Sequence, residues 1–148
     1  MNGGAWAGQH LATDFENSGK WPWFQDQIDG AFFVQQDPDG TPGIVTWEPN
    51  ALTHPILRGL SSPWNVTDEW LTMNRDVQTV AGFQVLAKVT VPSSGVDTRP
   101  QPAIWIHELA GGGRAFYTLR GHNKTVYAEP AFRKLMLQGI LWAVHRLQ

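Results

Sequence analysis

Cysteine is absent from the 148-residue chain, which removes disulfides, thiolate metal sites and a thiol nucleophile together. Charge is also scarce. Charged residues make up 16% of the chain, against about 25% in an ordinary globular domain. The net charge is −2, with no basic excess, and this argues against a nucleic-acid partner. No apolar run approaches the roughly 20 residues of a membrane-spanning helix, so no membrane partner is expected. Phosphate-binding, dinucleotide-binding, HExxH and GxSxG motifs are missing too. The first eight residues lack both the positive and the apolar region of a secretion signal, so a cytoplasmic location is expected. They read instead as a strand that runs into a Gly-rich turn, as though the chain began inside a larger domain.

Apolar residues make up 42% of the chain, and eight are Trp, so disorder is excluded as the main state. A single domain of this length buries roughly 70% of its unfolded surface. Fifteen Gly and ten Pro imply many connections between short elements. Strands are expected at Ala5–His10, Ile44–Glu48 and Gln84–Val91. A hairpin is expected from Ala103–Glu108 and Arg114–Leu119 around Ala110-Gly111-Gly112-Gly113. Ser18-Gly19-Lys20 is read as the turn before a short helix at Trp21–Ile28, with Pro22 in its first turn. Asp37–Gly43 is read as a loop, Pro92–Pro102 as the most mobile one, and Thr53–Leu60 as a helical turn closed by Gly59. Trp64–Leu71 is read as extended. The closing helix spans about Pro130–His145, and Phe132, Leu135, Met136, Gly139, Ile140, Ala143 and Leu147 repeat at the spacing of one buried face. Strands alternating with helices argue for an α/β layered domain.

Among the five His, His145 suits a helix C-terminus, His54 a solvated turn, and His107 either a buried bonded site or a functional one beside Glu108. His10 and His122 differ from these. Each follows Gly closely where a strand ends, which is where ligands bind in open α/β sheets. Asp68, Glu69 and Asp14 are the carboxylates considered with them. Two His and a carboxylate can ligate one divalent ion, zinc or a similar metal, or can form an acid–base set without metal. The aromatic residues Trp21, Trp23 and Trp70 are candidates for stacking on a sugar ring, against the alternative of plain core packing.

These residues together resemble the trehalose-utilisation (ThuA-like) family of the class I glutamine amidotransferase-like superfamily. Gly3-Gly4 through Gly8-Gln9-His10 is similar to that family's Gly-Gly-x-x-x-Gly-x-His turn. Trp21-Pro22-Trp23-Phe24, Gly30-Ala31-Phe32-Phe33, His54-Pro55, Gly59-Leu60 and Asp68-Glu69-Trp70 follow in the family's order. Gly112-Gly113-Arg114-Ala115-Phe116-Tyr117-Thr118 with Gly121-His122-Asn123 is the most specific segment, and Tyr127–Phe132 and Gly139–Ala143 complete the series. The resemblance implies a flavodoxin-like α/β domain with a cleft at its strand ends. It also implies carbohydrate catabolism, with a small carbohydrate, such as a modified glycoside, as partner. His10 and His122 would be the catalytic and metal-ligating pair, Asp68 or Glu69 their third partner, and Trp21, Trp23, Trp70 and Asn123 the sugar-binding set. His10 stands where amidotransferases place a nucleophilic Cys. An imidazole cannot form their thioester, so glutamine hydrolysis is excluded. A non-catalytic sugar-binding module, or an inactive fragment needing a partner chain, is the alternative.

Two departures from the family pattern stand out. Gln35-Gln36-Asp37-Pro38 replaces its His-Pro, and Glu129 replaces the Asp that caps its last helix. The strands that usually precede the Gly-Gly turn are absent, so residues 1–148 are expected to be the C-terminal two thirds of an N-terminally truncated domain. The sheet edge beside Trp6 is then expected to be exposed and to drive homo-oligomerisation.

Overall fold

The structure is a computed structural model that describes residues 3–14 and 21–148. Met1, Asn2 and the turn expected at Ser18-Gly19-Lys20 lie outside the described residues. Among the described residues, eight strands form two sheets. They are β1 (Ala5–Gln9), β2 (Phe33–Gln36), β3 (Thr41–Trp47), β4 (Trp64–Asp68), β5 (Leu71–Met73), β6 (Phe83–Thr90), β7 (Gln101–Glu108) and β8 (Arg114–Thr118). Six of them make one mixed sheet in the order β1-β8-β7-β6-β3-β4, and β2 pairs with β5 in a separate ribbon. Among the described residues only β1 and β8 run parallel, and every other pair is antiparallel. Among the described residues β1 has one partner, β8, and so lies at an edge of the sheet.

The hairpin β7–β8 forms as its Gly-rich connection predicts, with Glu108 opposite Arg114. Pro102 to His107 are six consecutive buried residues, so β7 is covered on both faces and alternation along it says nothing about exposure. β3 starts three residues earlier than expected, because Thr41, Pro42 and Gly43 pair with Asp68, Thr67 and Val66. The Pro92–Pro102 loop is tied down. Asp37 accepts hydrogen bonds from Ser94 Oγ and from the Gly95 N–H, and Gln101 reaches Asp97.

Helix α1 (Pro22–Phe24) runs directly into a π-helical turn, Gln25–Asp29, which stops at Gly30 with φ +83°. The sheet holds this turn by its carbonyls. His107 Nδ1 donates to Gln27 O and Trp105 Nε1 to Asp29 O, both at 2.7 Å. His107 is therefore the buried, hydrogen-bonded residue of the plainer reading, and its ring stacks on Phe83 at 4.1 Å.

Helix α2 (Pro130–Ala143) lies on β8 and β1. A Cβ on Gly139 would sit 2.3 Å from the Phe116 ring, so only glycine permits this approach. That contact centres the buried stripe on Leu135, Gly139 and Trp142. Ile140, one residue round the helix from Gly139, is 44% exposed rather than buried as its spacing predicts.

Candidate functional site

Three chain segments far apart in sequence converge at one end of the large sheet. His10 follows β1, Glu69 follows β4 and His122 follows β8. β1 and β4 are the two outer strands. Five inter-strand steps of about 4.8 Å would hold the ends of a flat sheet about 24 Å apart. His10 Nε2 nevertheless lies 3.1 Å from Glu69 Oε2. The sheet must therefore curl until its edges meet at this site.

His10 is presented on a sharp turn. Its φ of +48° lies in the left-handed region, which is unfavourable for a residue with a side chain, and such outliers gather at functional sites. A short 3-10 turn, His10–Thr13, begins there. The buried Tyr117 hydroxyl donates to the His10 carbonyl and lies 3.3 Å from Thr13 Oγ1. Burial pushes the Tyr117 phenol well above its ordinary pKa, so it stays a donor. His10 Nδ1 is 3.3 Å from the Leu119 carbonyl. That contact is a hydrogen bond only if Nδ1 carries the proton, which leaves Nε2 with a free lone pair.

Two further ligand atoms lie beside this Nε2 lone pair. His122 Nδ1 lies 3.0 Å from His10 Nε2 and 3.0 Å from Glu69 Oε2. Glu69 is buried, and among the described residues its Oε2 has no hydrogen-bond partner outside the two imidazoles, whereas Oε1 accepts from Gln36 Nε2 at 2.7 Å. A proton on His122 Nδ1 would satisfy one side of this triangle. A cation would satisfy all three, and His10, Glu69 and His122 could hold a metal ion.

Asp68 braces the triangle from behind. Its carboxylate is fully buried and accepts the backbone N–H groups of Glu69 (2.9 Å), Gly121 (3.1 Å) and His122 (3.2 Å). Two of these belong to residues of the triad, so one carboxylate sets the backbone of both. Arg120 balances its charge, with Nε at 3.3 Å from Asp68 Oδ2. The same guanidinium grips Glu129 with two bonds of 2.8 and 3.0 Å and lies over the Trp64 ring at 4.7 Å. This explains the departure at the start of α2, where the Glu129 side chain makes no cap bond because it pairs with Arg120. A second brace links the two histidine turns. Gln9 Nε2 donates to the Tyr127 hydroxyl, which donates to the Gly121 carbonyl.

The remaining expected site residues fall elsewhere. Trp70 does not offer a stacking face. It is 2% exposed, its indole N–H donates to the Thr41 carbonyl, and its ring fills the space a Cβ on Gly43 would need. Trp21 and Trp23 are half exposed, and Trp21 stacks on Phe24 at 4.7 Å. Trp23 lines a cavity of about 260 Å³ with Gly3, Gly4 and Trp6, at the end of β1 opposite to His10. Asn123 donates to Asp39 at 3.0 Å and accepts from the backbone N–H and hydroxyl of Thr125, which fixes the loop beyond His122. Asp14 is exposed beyond the His10 turn, and His54 accepts from the Ile56 N–H, its pKa lowered by burial. Arg120 and the bracing role of Gln36 carry no sequence signal, because neither lies in a spacing that chemistry demands.

No helix among the described residues is long and apolar enough to cross a membrane. The fold is similar to that of a putative ThuA-like protein from Bacteroides uniformis ATCC 8492, with a TM-score of 0.79 and 21% identity over 99% of this chain. A putative ThuA-like protein from Parabacteroides merdae ATCC 43184 matches 96% of the chain, with a TM-score of 0.72 and 19% identity. A cytoplasmic protein from Salmonella typhimurium shares the fold more distantly, with a TM-score of 0.56 and 9% identity over 93% of the chain and 53% of its own. The chain spans 61% of the length of each of the two ThuA-like structures. No curated protein gives a match. The family model described as trehalose utilisation matches residues 1–143, nearly the whole sequence, and the chain belongs to the ThuA family.

Proposed function

We propose that this chain acts in carbohydrate catabolism on an oxidised or otherwise modified glycoside, at a site where His10, Glu69 and His122 hold one divalent ion such as zinc. One observation carries the reading: three ligand atoms lie 3.0–3.1 Å from one another, and the carboxylate oxygen among them is buried with no other partner. When bound, the ion would polarise a carbonyl or hydroxyl oxygen of the sugar. The chain supplies the rest. Leu119 holds His10 in the tautomer that keeps Nε2 free, and Glu69 contributes the negative charge. His122 turns Nδ1 toward the triad and its side chain is 38% exposed, so its Nε2–H remains free to donate a hydrogen bond to a sugar oxygen.

The test is elemental analysis of the dialysed protein beside His10→Ala and His122→Ala, with turnover of oxidised glycosides followed by NMR. The wild-type chain is expected to retain about one equivalent of metal and both variants to lose metal and turnover. Equal metal in all three, or none in any, would refute the metal and leave an acid–base set. Sugar affinity without turnover, unaffected at His10→Ala, would make the chain a binding module.

A further inference from the structure

We propose that Gln36 restricts Glu69 to a single ligating oxygen, that the triad is one face of a six-coordinate site, and that its substrate class is a sugar fragment with two adjacent ligating oxygens, a vicinal diol or an α-hydroxy ketone. This rests on the metal reading above and concerns the number and arrangement of open positions. Glu69 Oε1 is held by the Gln36 amide at 2.7 Å, and only Oε2 faces the imidazoles. Two-oxygen ligation would require the carboxylate to turn until Oε1 also faced the imidazoles, and the Gln36 amide holds it in its present orientation.

The size of the triangle then bears on geometry. With bonds of about 2.1 Å, ligand atoms at right angles are about 3.0 Å apart, while tetrahedral ones are about 3.4 Å apart. The three edges here are 3.0, 3.0 and 3.1 Å. Two imidazoles and one carboxylate oxygen on one face leave three mutually adjacent positions open. The His10 and Glu69 side chains are about nine-tenths buried and that of His122 is 38% exposed, so the open side lies toward His122. A dipositive ion with one carboxylate retains a unit positive charge, which favours oxygen donors able to release a proton. Gln36 also lines an open depression of about 540 Å³ with Asp37, Gly40, Thr41 and Val96, which offers room beside the site for the rest of a sugar.

The experiment uses the metal-free full chain titrated with Co(II). A six-coordinate site is expected to give weak visible absorption, and acetohydroxamate, a two-oxygen chelator, is expected to perturb it where acetate does not. Gln36 is exposed, so Gln36→Leu should fold, and it is expected to weaken Co(II) binding by about 10- to 100-fold, as the loss of a partner that orients a ligand does. An intense four-coordinate spectrum, equal responses to hydroxamate and acetate, or unchanged affinity in Gln36→Leu would overturn the inference and leave the metal reading standing. Failure of Co(II), Zn(II) and Mn(II) alike to bind the wild-type chain would overturn both.

Discussion

Asp29 is fully buried at the end of the π-helical turn, and neither of its carboxyl oxygens has a hydrogen-bond partner among the described residues. Desolvation pushes its pKa from 3.8 up to about 8, so the folded chain holds a neutral carboxylic acid at neutral pH. The unfolded chain holds a carboxylate there. Between these two values the folded state binds one more proton than the unfolded state, and stability must fall as pH rises. The slope approaches about 1.4 kcal/mol per pH unit, so this one group removes about 3 kcal/mol between about pH 5 and pH 7. Asp29→Asn keeps the shape and abolishes the titration. Urea unfolding of both proteins across that range isolates the effect, because every other titrating group is common to the pair. Asp29→Asn is expected to gain about 3 kcal/mol on the wild type from the acid to the neutral end. A difference that does not change with pH would show that Asp29 is ionised in the fold, and would refute the reasoning.

Asp68→Asn leaves Arg120 buried with one carboxylate fewer and weakens the seat of three backbone N–H donors. Breaking such a pair is expected to lower stability by about 3–5 kcal/mol in urea unfolding, and retained stability would show that Glu129 alone satisfies the guanidinium. Gly139→Ala drives a methyl group to 2.3 Å from the Phe116 ring, and overpacking of about 1–3 kcal/mol should exceed the helix-propensity gain of about 1 kcal/mol and lower the melting temperature. His10→Gly relieves the left-handed φ by about 1 kcal/mol, so the metal-free protein should melt no earlier than the wild type although metal retention is lost; a clear drop in melting temperature would mean that the Leu119 bond outweighs the strain.

The sequence carries the fold where periodicity is strong. β6, the β7–β8 hairpin and α2 lie close to where alternation, the Gly-rich turn and helical spacing place them. His10 and His122 were legible from their glycines, because a chain that turns sharply at a strand end needs a residue such as Gly121, with φ +130°. Asp68-Glu69-Trp70 shows where legibility stops. Consecutive residues in extended chain point to opposite sides, and pattern alone does not say which side faces the site. Asp68 and Trp70 turn inward while Glu69 reaches the imidazoles. The sequence pattern does not mark β2, because three of its four residues are exposed and it pairs outside the main sheet. The curl that joins β1 to β4 is a relation between non-neighbouring strands, on which no local rule bears.

Gln36 shows how a residue that is not a ligand type can still shape the site. Counted by residue type, an amide in place of an imidazole leaves the site one metal donor short. In the structure the amide is a donor of hydrogen bonds, and it takes up the one carboxylate oxygen that does not face the triad. Leu119 treats His10 in the same way when Nδ1 carries the proton, since its carbonyl then takes Nδ1 and leaves Nε2 free. Asp68 does so for the backbone, collecting the N–H groups of Glu69 and His122. Each brace draws off the hydrogen-bonding capacity that would otherwise let a triad member satisfy itself by turning away. What remains is three ligand atoms held about 3 Å apart, a set that a cation would satisfy on every side. The chemistry of the site thus depends on its supporting residues as much as on the triad, and substitutions there should change what the triad binds before they change whether the chain folds.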